Sequence, residues 1–385
     1  MKGANPRDEF APTLGEDQLL LSSWLLESLM EGIMVTDTSG VIKYINLAFS
    51  EITGYGKEAL GKTPRILKSG KHDLIFYQQL WSKLEQEGQW KGELWNRRKN
   101  GDIYVQATTI TVIKDENARA IYYTAVFSDI TEKKLEEKQL MNDLLLAQEV
   151  QKGLLSQPIR DRHIHIEGLH APSIQVGGDM YAWYQIDEHR YGIYLMDVMG
   201  HGIASSLVGI SIHSLLRGMI KKVVHPAKVM KELNLHVNAL FKNNPSAPLM
   251  EYYITALYVV VDVKNRILQY TSAGHPPGFL VDESGRAIEL NIGTVPLGML
   301  PEIEVETGEL VLNGRSSLVL YTDGLFENEQ KGTRENIESL KKQIIEHRNC
   351  DAPQLLSSLL TSFSKTEPSK EFLDDITIVA ATIFS

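Results

Sequence analysis

The sequence predicts an α+β protein in which a helical connector joins two domains. Three observations support this fold class. The chain has 385 residues, which is too many for one ordinary hydrophobic core. Short strand patterns separated by turn signals occupy the region from 32 to 128, and beyond 158 longer strand patterns mix with paired helical patterns. The second mixture is typical of packed sheets that helices cover on the outside.

Composition narrows the classes of function and location. The formal net charge of -10 and the pI of about 5.6 argue against a nucleic-acid partner and against an anionic membrane surface. Cys350 is the single cysteine, so an intramolecular disulfide and a cysteine-based zinc site are both excluded. Near the N-terminus there is no signal-peptide pattern and no apolar run long enough to span a bilayer. We therefore expect a cytoplasmic protein without a membrane segment.

The first domain is predicted to extend over residues 16–131, after a polar arm at 1–15 that we expect to be disordered. Five strand patterns follow one another, with turn signals at 38–40 and at Asn100-Gly101. A helix is predicted from Asp73 to Glu87. This order predicts a five-stranded antiparallel sheet with helices on one side.

Three stretches of this domain carry a family resemblance. They read GIMVTDTSGVIKYINLAFSEITGYGKEALGKTPRILKSGKH, LWSKLEQEGQWKGELWNRRKNGDIYV and AVFSDITEKK. Together they resemble a PAS sensor domain. The resemblance implies a module that binds a small molecule or dimerises and passes its state to a C-terminal effector.

The ligand of such a module is left open by the sequence. Pro64 stands where flavin photoreceptors of this family carry a reactive cysteine, so a photo-adduct of that kind is excluded. The resemblance to flavin-binding redox sensors implies that Arg65, Trp81 and Trp90 line a flavin pocket. The alternative is that both tryptophans are core aromatics and Arg65 is a surface charge.

Residues 132–157 are predicted to form the connector. Apolar residues at alternating spacings of four and three indicate a short coiled coil in which Gln151 occupies a seam position. The seam residues are Leu140, Leu144, Ala147 and Leu154. We expect a homodimer through the PAS domain and this helix, although an amphipathic helix lying on one domain has the same pattern. The helix contains no histidine, which excludes a histidine-kinase phosphoacceptor there.

Carboxylates mark the second domain, residues 158–385. Asp179, Asp197, Asp323 and the pair Asp374-Asp375 each stand at the edge of an apolar strand-like run. A single aspartate at a strand end is usually a turn residue, but four such positions in one domain indicate a shared site. Aspartate oxygens without cysteine or clustered histidine favour Mg²⁺ or Mn²⁺ over zinc.

Seven motifs of this domain carry a second resemblance. They are VGGDMY, LMDVMGHGIASSL, YITALYVVVD, YTSAGHPPGFLV, VPLGML, LVLYTDGLFENE and DDITIVA. As a set they resemble the metal-dependent serine/threonine phosphatases of the protein phosphatase 2C type, in the SpoIIE branch. The resemblance implies an α/β/β/α sandwich with two Mn²⁺ or Mg²⁺ ions and in-line attack of hydroxide on a phosphomonoester.

The same resemblance implies roles for individual residues. Asp197 bridges the two metals, and the backbone carbonyl of Val198 binds one of them. Asp323 and Asp374 complete the other metal, and Asp179 acts directly or through metal-bound water. Asp375 is expected only to orient its neighbour.

Some residues near these motifs have two interpretations or depart from the pattern. His201 either protonates the leaving group or holds the glycine turn, and His275 is expected to be structural. Met199 replaces a small serine, and Ala182 replaces an acidic residue. None of these positions is a proposed metal ligand, so we expect an active enzyme.

The resemblance implies a PAS-regulated protein phosphatase. Its expected substrate is a phosphorylated STAS-type anti-sigma-factor antagonist in partner-switching signalling. The alternative is a pseudophosphatase that binds a partner without turnover. We expect a push from the connector to act on Asp197 and Val198, and the sequence does not decide whether the PAS domain activates or inhibits.

Overall fold

The computed structural model describes residues 16–200, 202–242, 253–326, 333–363 and 374–384. The arm at 1–15 and His201 lie outside the described residues. The chain divides into two compact units, Met1–Met141 and Asn142–Ser385. Each unit has its own sheets and its own hydrophobic core, so each is described separately.

The first unit is built on a single antiparallel sheet with the strand order β2-β1-β5-β4-β3. Its helices are α1 (Glu16–Ser28), α2 (Leu47–Thr53) and α3 (Leu74–Glu87), and its strands are β1 (Gly32–Asp37), β2 (Ile42–Ile45), β3 (Gln89–Arg97), β4 (Ile103–Lys114) and β5 (Ala120–Asp129). Asn46 and Asp73 start α2 and α3 by accepting a backbone N–H at the third helical position. Both helices end at a glycine with positive φ, the backbone conformation that glycine adopts without strain.

One face of this sheet carries the core of the first unit. Phe49 of α2 and Phe127 of β5 are buried and meet edge to face, with ring centroids 5.9 Å apart. A polar row lies beside them on β4, where the Tyr104 hydroxyl donates to Gln106 Oε1 and the Gln106 amide donates to Thr108 Oγ1. These side chains are buried and mutually hydrogen-bonded, which offsets the cost of removing them from water.

The connector is a single helix, α4 (Thr131–Leu154), which begins in the first unit and ends in the second. At its start, Asp129 Oδ1 accepts bonds from the Thr131 N–H and hydroxyl, at 2.9 and 2.5 Å. Asp129 also pairs with Arg98 on the neighbouring β-hairpin. The last strand of the first unit is therefore tied to the first turn of the connector.

The second unit is a sandwich of two sheets. The first sheet has the order β14-β11-β10-β9-β8, with β15 paired to β11, and the second has the order β13-β12-β16-β17-β7-β6. The strands are β6 (Ile159–Arg160), β7 (Ile164–Ala171), β8 (Met180–Gln185), β9 (Arg190–Val198), β10 (Ile254–Asp262), β11 (Ile267–Ala273), β12 (Gly278–Asp282), β13 (Ala287–Leu290), β14 (Gly293–Thr294), β15 (Gly308–Val311), β16 (Ser316–Tyr321) and β17 (Ile376–Ile383).

Helices cover both outer faces of this sandwich. They are α5 (Ile203–Met219), α6 (Pro226–Lys242), α7 (Thr333–Glu346) and α8 (Ala352–Phe363). The first two pack on the first sheet, and the last two pack on the second. Ile166 and Leu318 of one sheet share a core with Leu195 and Leu257 of the other. This α/β/β/α arrangement, together with the antiparallel sheet of the first unit, confirms the predicted α+β class.

No helix among the described residues combines the length and the apolar character that crossing a bilayer requires.

Candidate active site

The first two aspartates meet at one edge of the first sheet. β8 and β9 are antiparallel with Met180 opposite Met196, so Asp179 and Asp197 lie one step further on and share a face. Asp179 is buried, and its carboxyl lies close enough to Asp197 to act as a hydrogen-bond partner. Asp197 is the penultimate residue of β9, which places it inside the ladder with Thr255 opposite it on β10.

The other aspartates come from two neighbouring strands of the second sheet. Asp323 follows the end of β16, and the pair Asp374-Asp375 precedes the start of β17. Because Tyr321 pairs with Ile378, these two strand ends lie side by side. Asp197 experiences the charges of Asp323, Asp374 and Asp375 across the sandwich. The structure therefore brings together every carboxylate that the sequence marked.

The electrostatics of this cluster are unfavourable for the bare protein. Burial, followed by repulsion from Asp323, Asp374 and Asp375, raises the pKa of Asp197 to about 7. Burial and the charge of Asp197 raise the pKa of Asp179 well above its ordinary value. A divalent cation among these groups would remove this repulsion and favour the ionised carboxylates.

The donor atoms of these residues suit such a cation, although their side chains are not arranged as a complete metal site. Among the described residues, no three His, Cys, Asp or Glu side chains already stand as a metal-binding group. The cluster nevertheless offers only carboxylate oxygens, the donors that Mg²⁺ and Mn²⁺ prefer. Asp323 is exposed, so the cluster is open to solvent on that side.

Val198 lies beside the GGD turn, which is formed by residues 177–179. The side chain of Val198 is buried, and its carbonyl oxygen would be 2.5 Å from a Cβ added at Gly178. Only glycine permits this approach of the turn to the end of β9. The turn and the strand end that carry Asp179 and Asp197 are thus held in direct backbone contact.

Two threonine hydroxyls hold the Asp179 carboxylate. Thr322 donates to Oδ2 at 2.8 Å, and Thr377 donates to the same oxygen at 2.6 Å. Each threonine belongs to a motif that supplies a carboxylate, since Thr322 precedes Asp323 and Thr377 follows Asp375 by two residues. The second sheet thereby fixes the orientation of an aspartate on the first.

Asp375 binds the chain around the GGD turn. Its Oδ1 accepts the Ser173 N–H at 2.8 Å and the Ser173 hydroxyl at 3.0 Å, and its Oδ2 accepts the Gly178 N–H at 2.7 Å. A Cβ at Gly177 would be 2.0 Å from Oδ2, so glycine is required there. With both oxygens engaged, Asp375 is placed to support the turn.

Gln151 of the connector helix reaches the same turn. Its side chain is 1% exposed, its Nε2 donates to the Gly177 carbonyl at 2.8 Å, and its Oε1 accepts the Gly177 N–H at 3.3 Å. The same Nε2 lies 3.4 Å from Met180 Sδ. Gln151 therefore connects α4 to the backbone two residues before Asp179.

The histidines and the remaining predicted residues occupy different settings. His275 is buried with its Nδ1 2.8 Å from Thr255 Oγ1, and burial lowers the pKa of His275 to about 3. Met199, directly after β9, is 41% exposed. The role of His201 stays a prediction because that residue lies outside the described ones.

The three residues of the expected flavin pocket differ in their burial. Trp90 is buried in a small core with Leu80 and Leu84. Trp81 is 45% exposed and packs edge to face on Tyr123, and Arg65 is exposed. A flavin at these residues stays a prediction.

Sequence reasoning missed the residues that support Asp179. Thr322 and Thr377 stand inside the motifs YTDG and DDIT, so a signal for them was present. The seam pattern at Gln151 does not reveal its contacts with Gly177, because backbone groups 26 residues away leave no pattern in the sequence.

Comparisons with known proteins agree with this geometry. A family model described as Stage II sporulation protein E (SpoIIE) matches residues 187–384, and a model described as PAS domain matches residues 30–132. The chain is 40% identical over 185 residues to the phosphoserine phosphatase RsbP of Bacillus subtilis (strain 168), an alignment that covers 48% of this chain and 45% of that one. It is 24% identical over 245 residues to the phosphoserine phosphatase RsbU of the same organism, covering 63% of this chain and 70% of that one.

The alignment with RsbP thus spans less than half the length of that protein. Among solved structures, the SiaA-PP2C domain of Pseudomonas aeruginosa superposes with a TM-score of 0.53 at 21% identity, over 65% of this chain and 99% of that one. This likeness shows the fold. Both resemblances found in the sequence are confirmed.

Proposed function

The chain belongs to the SpoIIE family, and from this premise we propose that it is a metal-dependent phosphoprotein phosphatase acting on phosphoserine or phosphothreonine. The observation that carries the proposal is the convergence of Asp179, Asp197, Asp323 and Asp374 from two facing sheets at one edge of the sandwich. Two relatives bear the name phosphoserine phosphatase, which supports phosphoserine as the substrate group.

The residues of the chain would perform distinct tasks in this reaction. Asp197, Asp323, Asp374 and the carbonyl of Val198 would hold two Mn²⁺ or Mg²⁺ ions, with Asp179 acting directly or through water. When bound, the ions would lower the pKa of water and neutralise phosphoryl charge. Thr322 and Thr377 would keep Asp179 oriented, and Asp375 would keep the GGD turn in place.

We further propose that the PAS unit controls this site through the connector helix. The supporting contacts are the capping of α4 by Asp129 at one end and the bonds from Gln151 to Gly177 at the other. A flavin bound at the PAS unit and a homodimer through that unit and α4 belong to this proposal. An absorbance spectrum tests the flavin, and light scattering of the purified protein tests the dimer.

The proposed partner is a phosphorylated STAS-type anti-sigma-factor antagonist. Family membership and the RsbP and RsbU relatives support this choice. The test is to incubate the full-length chain and Mn²⁺ with a STAS protein phosphorylated on serine, and to follow dephosphorylation by mass spectrometry.

Asp197→Asn is the matched variant for this test. We expect hydrolysis by the wild type that depends on Mn²⁺ and falls by at least about a hundredfold in the variant, because a carboxylate that would hold the ions becomes a neutral amide. Hydrolysis that continues unchanged in Asp197→Asn would show that the carboxylate cluster is not the active site. Binding of the partner by the wild type without turnover would favour a pseudophosphatase instead.

A further inference from the structure

We propose that His170 is a positioning residue of the phosphatase site, which orients the Thr377 hydroxyl so that its proton points at Asp179. The inference rests on the proposed function, because it assigns the support of one of the proposed metal-site carboxylates. It is carried by a hydrogen-bonded row of three side chains that reaches from the second sheet to the first.

The register of the second sheet creates this row. β7 and β17 are antiparallel, and His170 lies directly opposite Thr377. Side chains of a cross-strand pair lie on the same face, which here is the inner face of the sandwich. His170 Nδ1 is 3.0 Å from Thr377 Oγ1, and Thr377 Oγ1 is 2.6 Å from Asp179 Oδ2.

The number of available protons determines which atom donates in each hydrogen bond of the row. With a divalent cation bound, Asp179 would be ionised and could only accept, so Thr377 would use its single hydroxyl proton on Asp179. The Thr377 oxygen can then only accept from His170, which requires that His170 carries its proton on Nδ1. Burial lowers the pKa of His170 to about 4, with Lys152 lowering and Asp375 raising it, so the ring is neutral at pH 7.

The second ring nitrogen agrees with this tautomer. His170 Nε2 is buried and has no hydrogen-bond partner among the described residues. A protonated Nε2 would leave a buried donor without an acceptor, which is energetically unfavourable. The Nδ1–H tautomer avoids that cost and satisfies Thr377 at the same time.

The row matters because Asp179 receives two hydroxyl bonds on one oxygen. Thr322 and Thr377 both donate to Oδ2, which fixes the rotation of the carboxylate about its Cβ–Cγ bond. A threonine hydroxyl rotates easily between acceptors. The bond from His170 holds the Thr377 hydroxyl in the one rotamer that points its proton at Asp179.

The first experiment replaces the donor at position 170. His170→Leu keeps the bulk and removes the donor, whereas His170→Asn retains an N–H at the Nδ1 position. The dissociation constant for Mn²⁺ is measured by calorimetry, and kcat and KM are measured with a phosphoserine protein. We expect His170→Leu to weaken Mn²⁺ binding by about tenfold and to lower kcat with KM unchanged, and His170→Asn to restore most of both.

His165→Leu is the matched control. His165 lies on the same strand, is partly buried and pairs with Asp351 at 3.6 Å, away from Asp179. Equal loss of Mn²⁺ binding in His165→Leu and His170→Leu would show a general effect on the strand and overturn the inference. So would a wild-type Mn²⁺ response in His170→Leu, or an equal loss in His170→Leu and His170→Asn.

The second experiment determines the tautomer and does not depend on activity. Long-range ¹⁵N–¹H spectra of the full chain labelled at histidine, recorded with Mg²⁺, show which ring nitrogen is protonated, and the signals missing in His170→Asn identify His170. A proton on Nδ1 supports the row, and a proton on Nε2 overturns it even if His170→Leu fails to fold. A wild type that binds Mn²⁺ without hydrolysing phosphoserine contradicts the proposed function alone.

Discussion

The contact between Gln151 and Gly177 yields the sharpest prediction about how the connector reaches the active site. Gln151→Leu replaces a buried amide with an apolar side chain of similar size. It leaves the N–H and the carbonyl of Gly177 without their partner, and both groups are buried. Each unpaired backbone group costs about 1–3 kcal/mol, so we expect the free energy of unfolding to fall by about 2–6 kcal/mol.

Gln151→Leu should also weaken catalysis. Gly177 is two residues from Asp179, so a turn that relaxes moves a proposed metal-site carboxylate. Groups that support metal ligands in this way contribute about tenfold to a hundredfold to metal affinity or activity. We therefore expect Gln151→Leu to need at least about tenfold more Mn²⁺ for half-maximal hydrolysis of a phosphoserine protein.

Ser156, which follows α4, offers a matched control because it bonds to β8. Its hydroxyl bonds to both the N–H and the carbonyl of Trp183, at 3.0 and 3.1 Å, four residues beyond Asp179. Ser156→Ala should lower the free energy of unfolding by about 1–3 kcal/mol and leave the Mn²⁺ requirement unchanged. The reasoning is refuted if Gln151→Leu keeps the wild-type Mn²⁺ requirement, or if both variants change it equally.

Other predictions test the packing of the site and its helices. Gly324→Ala places a Cβ 2.1 Å from the Asp375 carbonyl oxygen, so we expect denaturant unfolding to show a loss above about 2 kcal/mol; an unchanged midpoint would contradict the contact. Gly153→Ala, where no atom lies within 4 Å, should instead stabilise α4 by up to about 1 kcal/mol, and a loss there would contradict the helical assignment. The Nδ1 atom of His213 lies 2.5 Å from the Tyr194 hydroxyl. Burial lowers the pKa of His213 from 6.5 to about 4. The unfolded state therefore binds the proton more tightly, so stability from neutral His213 is complete above pH 6.5 and lost as the pH falls towards 4. In urea unfolding at pH 7.5 and 5, His213→Gln should lose less stability than the wild type on acidification, and equal losses would contradict this.

The sequence allowed the carboxylates to be found because each lies beside a strand whose apolar run is visible. The runs before Asp197 and Asp323 predicted β9 and β16 to within a few residues. The convergence of these aspartates did not require knowledge of the loops, since strand ends of packed sheets meet at shared edges. The same reasoning missed β7 entirely, because its histidines and glycine interrupt the apolar pattern.

The supports of the site could not be predicted for a different reason. The bond from His170 to Thr377 joins residues 207 positions apart and depends on the register of β7 against β17. Register is set by the packing of whole sheets, and a shift by one residue would turn His170 to the outer face. A single sequence contains no record of that choice, whereas it does record the composition of each strand.

The contacts around Asp179 change which part of the site a signal from the connector is expected to reach. The sequence suggested that a push would act on Asp197 and Val198, because a helix begins soon after them. In the structure, α4 bonds instead to Gly177, in the turn that carries Asp179. Asp197 lies inside β9 and is paired with Thr255 of β10, and a strand held in a ladder resists displacement. Asp179 stands before its strand and is held by separate bonds from the second sheet. A change in α4 is therefore expected to alter Asp179 first, while Asp197 stays in place.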